Sequence, residues 1–299
     1  MKVVEIIKCF YNGALMSNSL VTNAVRSTID NYFQEDDLSR NLYYINSLPS
    51  DLVRCSLKLK DDLVLAGLPY FIEVFKYLGD ESLDYDLLKE FEGREFKKVD
   101  KKVIHFELPF AVALTGERIA LNLLQHASSI ASYTKKYVEK ADELGIVILD
   151  TRKTTPGHRS LEKYAVRVGG GCNHRLGQTD LWMVKDNHKN FFGGVKEAVN
   201  FFRSMKGFYT PIEVEIHSVS EFDEALALGI KHVMLDNFSP EEIRTLIKSK
   251  PSDVTVEVSG GVRLSNIEDY LIEGVDAISI GALTYAAPSV DISLKYNRL

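Results

Sequence analysis

Residues 212–262 read IEVEIHSVSEFDEALALGIKHVMLDNFSPEEIRTLIKSKPSDVTVEVSGGV, and this stretch decides the fold class. Three short β-rich runs, 212–216, 232–236 and 254–258, alternate with helical patterns. Ser220 stands three residues before Asp223, and Ser239, followed by Pro240, stands three before Glu242. A hydroxyl at the N-cap with an acid at the third position satisfies free amides and complements the helix dipole, so both pairs mark helix starts. Strand–helix alternation implies a parallel sheet. Short, largely apolar strands suit a sheet covered on both faces.

The same alternation extends to both sides. Further strand-like runs occur at 146–150 (IVILD), 182–185 (WMVK) and 276–280 (DAISI), with a third capping signal at Ser265 and Glu268. An eight-unit β/α barrel typically needs ~250 residues, whereas this alternation runs only from Gly145 to Ala282. The expectation is therefore an α/β fold with an incomplete β/α barrel of six or seven strands; an open doubly wound sheet is the alternative. Ahead of it, a helical pattern runs from Glu117 to about Gly145. Ile119, Ala120, Leu123, Leu124, Ala127, Ile130 and Ala131 share one of its faces. The preceding residues read as mixed α and β, and the charged stretch 80–102 as exposed helix and hairpin.

The chain has 299 residues, 45% hydrophobic and 26% charged, with a formal net charge of −6. That balance argues against a nucleic-acid or anionic-membrane partner, and no apolar run approaches the ~18 residues of a membrane span. Glu5 and Lys8 interrupt the N-terminal run MKVVEIIKCF, which makes a poor signal peptide. Cys9, Cys55 and Cys172 form no C-x-x-C pair, so a reducing, cytoplasmic location is expected and a disulfide or zinc framework is not. Against the acidic background, residues 151–190 carry eight Lys/Arg and only three Asp/Glu. Such a basic block is either a local polyanion site or a solvated loop.

Polar residues gather where each strand ends. Asp150-Thr151-Arg152-Lys153 closes the first, Lys185-Asp186-Asn187-His188 the second, Glu215 the third and Asp236-Asn237 the fourth. Ser259-Gly260-Gly261 follows the fifth and Gly281 the sixth. The active site of a β/α barrel lies at that end of the strands; capping explains one such residue but not six in succession. Arginine and lysine suit carboxylates and phosphates, glycines admit phosphate oxygens to backbone amides, and Glu215 with Asp236 suits Mg²⁺. The combination points to phosphoryl or phosphoribosyl transfer. Other features read more simply: Gly169-Gly170-Gly171 as a turn, His188 as a capping group, and Trp182 and Met183 as core. His105, His126, His217 and His232 read as structural. Glu213 points the same way as Glu215 by strand alternation and suits an ion pair with nearby cations.

The run DTRKTTPGHRSLEKYAVRVGGGCNHRLGQTDLWMVKDNH (150–188) closely resembles the signature of the quinolinate phosphoribosyltransferases. The resemblance continues in VLAGLP (64–69), GERIALNLLQHASSIAS (116–132), EVEIH (213–217), VMLDN (233–237), SGGV (259–262) and GALTYAAPSVDIS (281–293). It implies an N-terminal α/β sandwich, 1–117 joined by 288–299, and a barrel-like catalytic domain, 118–287. It further implies a homodimer or higher oligomer in which Arg118 reaches the site of the other subunit. By resemblance, Arg152, His174 and Arg175 hold the two carboxylates of quinolinate, next to Thr151, and Lys153 and Lys185 lie between the substrates. Glu215 and Asp236 take the ribose hydroxyls and Mg²⁺ of phosphoribosyl pyrophosphate. Ser259, Gly260 and Gly261, with Ile280, Gly281 and Ala282, cradle its 5′-phosphate. Tyr285 departs from a position that is often histidine in this family. Rival readings are a nicotinate phosphoribosyltransferase, a paralogous group linked to molybdenum transport, an aldolase using Lys185 as a Schiff-base nucleophile, and a ligand sensor or degenerate paralogue.

Overall fold

The structure, a computed structural model, describes residues 20–37 and 42–299; the run MKVVEIIKCF, with Cys9, lies outside them. The chain divides into two compact units. One comprises the residues up to Ala131 together with Pro288–Leu299, the other Ser132–Ala287. The first unit contains strands β1 (Leu52–Leu59), β2 (Leu63–Val64), β3 (Glu95–Phe96) and β4 (Val103–Pro109). The second contains β5 (Val147–Leu149), β6 (Trp182–Val184), β7 (Ile212–Ile216), β8 (His232–Asp236), β9 (Thr255–Ser259) and β10 (Ala277–Ser279). Strand β11 (Ile292–Arg298) returns to the first unit and pairs antiparallel with β1, whose other edge pairs with β4.

All six expected strands are present, in one parallel sheet of order β5-β10-β9-β8-β7-β6. Every pair is sequential except β5 with β10, and β5 and β6 occupy opposite ends. A doubly wound sheet would reverse its strand order at a switch point; this order has no reversal and is that of a barrel interrupted between its first two strands. The free edge of β5 is met by a single parallel bridge, Leu149 with Cys172. There the Cys172 N–H donates to Ile148 O at 2.8 Å and the Asp150 N–H to Cys172 O at 3.1 Å. This one-residue strand has no apolar run around it, which is why periodicity did not reveal it. Val214, Leu235, Val258 and Ile278 are fully buried along the central strands.

In the first unit the charged stretch 80–102 forms short helices and β3, which pairs with the distant β2 rather than closing a local hairpin. The long helix begins earlier than its apolar face suggests, at Phe110 directly after β4, and ends at Ala141. Gly116 sits inside it because a Cβ there would lie 2.8 Å from Phe75 Cε1. Glycine in a helix interior costs about 1 kcal/mol, offset here by close packing on the Phe71–Phe75–Phe106 cluster. Among the described residues no helix is long and apolar enough to cross a membrane.

Two of the three expected caps move. Ser239 caps the helix Pro240–Ile247 with a full capping box, its N–H donating to Glu242 Oε2 at 2.8 Å. The helix Val219–Ala227 is capped by Ser218, whose hydroxyl accepts from the Glu221 N–H, and the Ser220 hydroxyl bonds to that of Ser218. The third helix is one turn, Ile267–Tyr270, and starts after Asn266 instead of Ser265. Ser239→Ala and Ser218→Ala are each expected to lower the unfolding free energy by about 1 kcal/mol in urea titration. Ser220→Ala is expected to cost less than half of that, and an equal loss would contradict the cap assignment.

Candidate active site

The first strand of the barrel ends in a carboxylate that solvent does not reach. Asp150 is fully buried and receives Lys163 Nζ from the helix Arg159–Val168. Its oxygens also accept from Asn173 Nδ2 at 2.6 Å and from the His174 backbone N–H at 3.0 Å. One side chain at the end of β5 thus ties down both the helix that follows it and the loop that carries His174 and Arg175. The Gly169-Gly170-Gly171 run is the expected turn, with Gly170 at φ 91°.

Four of the expected cations gather at this end of the sheet. Arg175 is buried and its Nη1 donates to the carbonyls of Gln178 at 3.3 Å and Leu181 at 3.0 Å. Burial lowers the pKa of its guanidinium, and the neighbouring Arg152 charge lowers it further. Arg152 Nε is buried and, among the described residues, has no hydrogen-bond partner. Two guanidiniums close enough to repel, one with an orphaned donor, are an arrangement whose charge suits an anion. His174 Nε2 lies 2.9 Å from Glu213 Oε2 and 3.3 Å from Glu257 Oε2. Burial opposes charge on that ring, but the hydrogen bonds to the two carboxylates outweigh it and its pKa is pushed up to about 10. Burial likewise raises the pKa of Glu213, against the pull of His174. Lys153 is exposed, and its carbonyl accepts from Thr284 Oγ1 at 2.7 Å. Thr151 Oγ1 accepts from the Lys153 N–H at 3.0 Å, which shapes the turn after β5.

The acidic side of the site lies on β7 and β8. Lys185 Nζ donates to Glu215 Oε2 at 2.9 Å, and the Asp186 N–H reaches Glu215 Oε1 at 3.4 Å. Lys185 is ion-paired and half exposed, the opposite of the desolvated setting that activates a Schiff-base lysine. His217, expected to be structural, stands with its Nε2 3.3 Å from Asp236 Oδ2 and 3.8 Å from Glu215 Oε1. Behind it, the buried Lys189 bonds to His217 Nδ1 at 3.1 Å and to Glu221 Oε2 at 2.8 Å. One donor atom from each of Glu215, His217 and Asp236 falls within 4.8 Å of the others, a spacing that fits a divalent cation. His188 caps its helix as expected, its Nδ1 accepting the Lys185 N–H at 2.9 Å with the ring against Phe202. Burial lowers its pKa and the nearby Lys185 charge adds to this. Met183 is buried core and Trp182 packs edge-on against Phe202.

The remaining expected residues form the bare-backbone part of the site. Ser259 O accepts the Asn237 N–H at 2.8 Å. Gly260 has φ 94°, and a Cβ there would fall 2.8 Å from Asn237 N, so no larger residue fits. Gly261 also has positive φ, with open space where a Cβ would be. Ile280 N–H donates to Leu149 O at 2.9 Å, and Ala282 opens the short helix Ala282–Tyr285. A Cβ on Gly281 would lie 2.9 Å from Lys153 Cδ, so this glycine lets the lysine cross the strand end. Arg118 belongs to the other unit, where it is exposed on the helix Phe110–Ala141.

Residues that the sequence reading missed follow a rule it had already used. Glu213, Glu215 and His217 alternate along one face of β7 and its end, and Glu257 lies two residues before Ser259. Applied to every strand, the alternation that linked Glu213 with Glu215 also picks out His217 and Glu257.

Comparison with known proteins agrees along the chain. Residues 130–295 match the family "Quinolinate phosphoribosyl transferase, C-terminal domain" and residues 40–128 its N-terminal domain. A probable nicotinate-nucleotide pyrophosphorylase [carboxylating] of Bacillus subtilis is 37% identical over 90% of this chain and 92% of its own. The Homo sapiens nicotinate-nucleotide pyrophosphorylase [carboxylating] is 40% identical over 81% and 82%. The crystal structure of NadC from Streptococcus pyogenes superposes with a TM-score of 0.82 at 35% identity, covering 95% of this chain and all of that one. A human nicotinic acid phosphoribosyltransferase, at 15% identity and TM-score 0.56, shares the fold alone. Matched in both of its halves, and in three dimensions, the chain belongs to the quinolinate phosphoribosyltransferase family of enzymes.

Proposed function

We propose that this protein transfers phosphoribose from phosphoribosyl pyrophosphate to quinolinate with loss of CO₂, a Mg²⁺-dependent step of NAD biosynthesis that yields nicotinate mononucleotide and pyrophosphate. The observation that carries this reading is the juxtaposition of Arg152 and Arg175, with the buried Nε of Arg152 unpartnered among the described residues. A dianion relieves their repulsion and supplies the missing acceptor, and arginine grips carboxylates with paired hydrogen bonds. The name carried by the relatives, nicotinate-nucleotide pyrophosphorylase [carboxylating], describes the same chemistry in reverse.

In this reading Arg152, His174 and Arg175 hold the quinolinate carboxylates, and Lys153 and Lys185 lie between the two substrates. Ser259 to Gly261 and Ile280 to Ala282 receive the 5′-phosphate on bare backbone. Glu215 and Asp236 hold the ribose hydroxyls and the metal; two carboxylate oxygens suit Mg²⁺, which prefers hard ligands and keeps several waters. Bound there, magnesium neutralises charge on the leaving pyrophosphate. As the C1–O bond breaks, C1 gains oxocarbenium character and the ring nitrogen of quinolinate bonds to it. The pyridinium so formed draws in the electrons of the adjacent C–CO₂⁻ bond; CO₂ departs and the ring carbon takes up a proton. Fixed cations at the places where charge changes lower the barrier by preorganised electrostatics, and no covalent nucleophile is required. The exposed Arg118 acts in trans, one copy of a cytoplasmic homodimer completing the site of the other.

Purified protein with Mg²⁺, phosphoribosyl pyrophosphate and carboxyl-labelled quinolinate is expected to release CO₂ and nicotinate mononucleotide in equal amounts, and to stop when the metal is chelated. Turnover of nicotinate instead would reassign the substrate. Arg175→Ala is expected to cost about 2–5 kcal/mol in kcat/KM for quinolinate, the range for truncating one side of a buried charge pair. Its fold should be retained by circular dichroism, and near-normal kinetics would remove Arg175 from the site. Inactive Arg118→Ala and Lys153→Ala proteins are expected to regain activity when mixed, because the hybrid dimer holds one intact site. Persistent inactivity of a verified hybrid would place Arg118 outside the partner's site.

A further inference from the structure

We propose that Glu257, with Glu213, is a positioning residue for His174: the two buried carboxylates grip one nitrogen of the ring so that the other presents a charged N–H to a carboxylate of the substrate. This rests on the reading of His174 as a quinolinate ligand. Glu257 lies in the middle of β9 and is 7% exposed. Its Oε2 is 3.3 Å from His174 Nε2, while Glu213 Oε2 is 2.9 Å from the same atom. Glu257 Oε1 is buried and, among the described residues, without a hydrogen-bond partner. A buried carboxylate with an unmet oxygen is destabilising, and apolar residues would fill this barrel interior at lower cost.

The chemistry of imidazole explains what the arrangement achieves. With Nε2 turned to the two glutamates, Nδ1 is left for the ligand, since among the described residues no hydrogen bond reaches it. A neutral ring protonated at Nε2 would offer a lone pair at Nδ1 and repel a carboxylate; a charged ring donates from both nitrogens. Burial alone would discharge the ring, and the hydrogen bonds to Glu213 and Glu257 reverse that, with a pKa pushed up to about 10. The other groups facing His174 do not compete for this role. Asp150 accepts its backbone N–H and is already paired with Lys163. The charges of Arg175, its neighbour in the chain, and of Arg152 are of the same sign as a charged ring and would favour the neutral one. The charge on His174 therefore comes from the two glutamates.

The test compares the unsubstituted protein with Glu257→Gln, saturated with Mg²⁺ and phosphoribosyl pyrophosphate, between about pH 6 and pH 9. The ratio of their KM values for quinolinate is expected to climb with pH, approaching tenfold per pH unit above the lowered pKa of the ring. KM for phosphoribosyl pyrophosphate is expected to stay the same. A ratio that is constant across pH, whether the variant is normal or uniformly impaired, overturns the proposal. A second measurement is independent of both folding of the variant and turnover. In the substrate-free unsubstituted protein, nuclear magnetic resonance of the His174 ring is expected to show both nitrogens protonated through about pH 8, and titration near the ordinary 6.5 overturns the proposal. Failure of the unsubstituted protein to turn over quinolinate refutes the proposed reaction, while the state of the ring still decides the role of the glutamates.

Discussion

The fully buried Asp150 carboxylate is the point on which the rest of the site depends. It is satisfied three times, by Lys163, Asn173 and the His174 amide. A buried carboxylate is tolerable only when it is paired and its remaining lone pairs are met. Here that requirement does structural work: satisfying Asp150 brings the helix Arg159–Val168, the glycine turn and the loop of His174 and Arg175 to one place. The same loop closes the free edge of β5 through Cys172. The β5 edge of the interrupted barrel is therefore met by the segment that carries His174 and Arg175.

Charge is sorted across the open end of the sheet. The loops after β5 and the Cys172 bridge carry cations, and β7 and β8 carry acids. Each side is held by groups behind it: Glu213 and Glu257 behind His174, and Lys189 behind His217 with Glu221. These outer groups carry charge opposite to, or hydrogen bonds complementary with, the group they support. Side chains fixed in this way need not reorganise when an anion binds, and that is the condition under which electrostatic stabilisation is largest. Asn237, Gly260 and Gly261 have positive backbone φ just after β8 and β9, a conformation that glycine adopts without strain.

Much of this was legible beforehand. The periodicity of 146–150, 182–185, 212–216, 232–236, 254–258 and 276–280 located all six strands, because a strand covered on both faces is largely apolar along its length. The polar residues that end those runs located the mouth of the barrel. Ser239 was readable as a cap because its box is local, whereas Ser218 won over Ser220 through a helix start that two nearby serines leave open to either. The start of the long helix at Phe110 was hidden because its first turn carries no acidic residue, follows directly on β4, and has its first N–H groups met by the distant Asp51 and Pro49 carbonyls.

The amino-acid sequence by itself determined which segments are strands and helices, at which end of the sheet the polar residues collect, and which family the chain resembles, since these depend on local periodicity and contiguous motifs. Tertiary structure alone decided the partners. His174 meets Glu213 and Glu257 from two different strands, Lys163 meets Asp150 across a loop, and Lys189 meets His217 from a helix. Alternation says toward which face a side chain points. What it meets there depends on strand order and register, which are set by how the whole sheet packs and by the need to leave few buried charges unpaired.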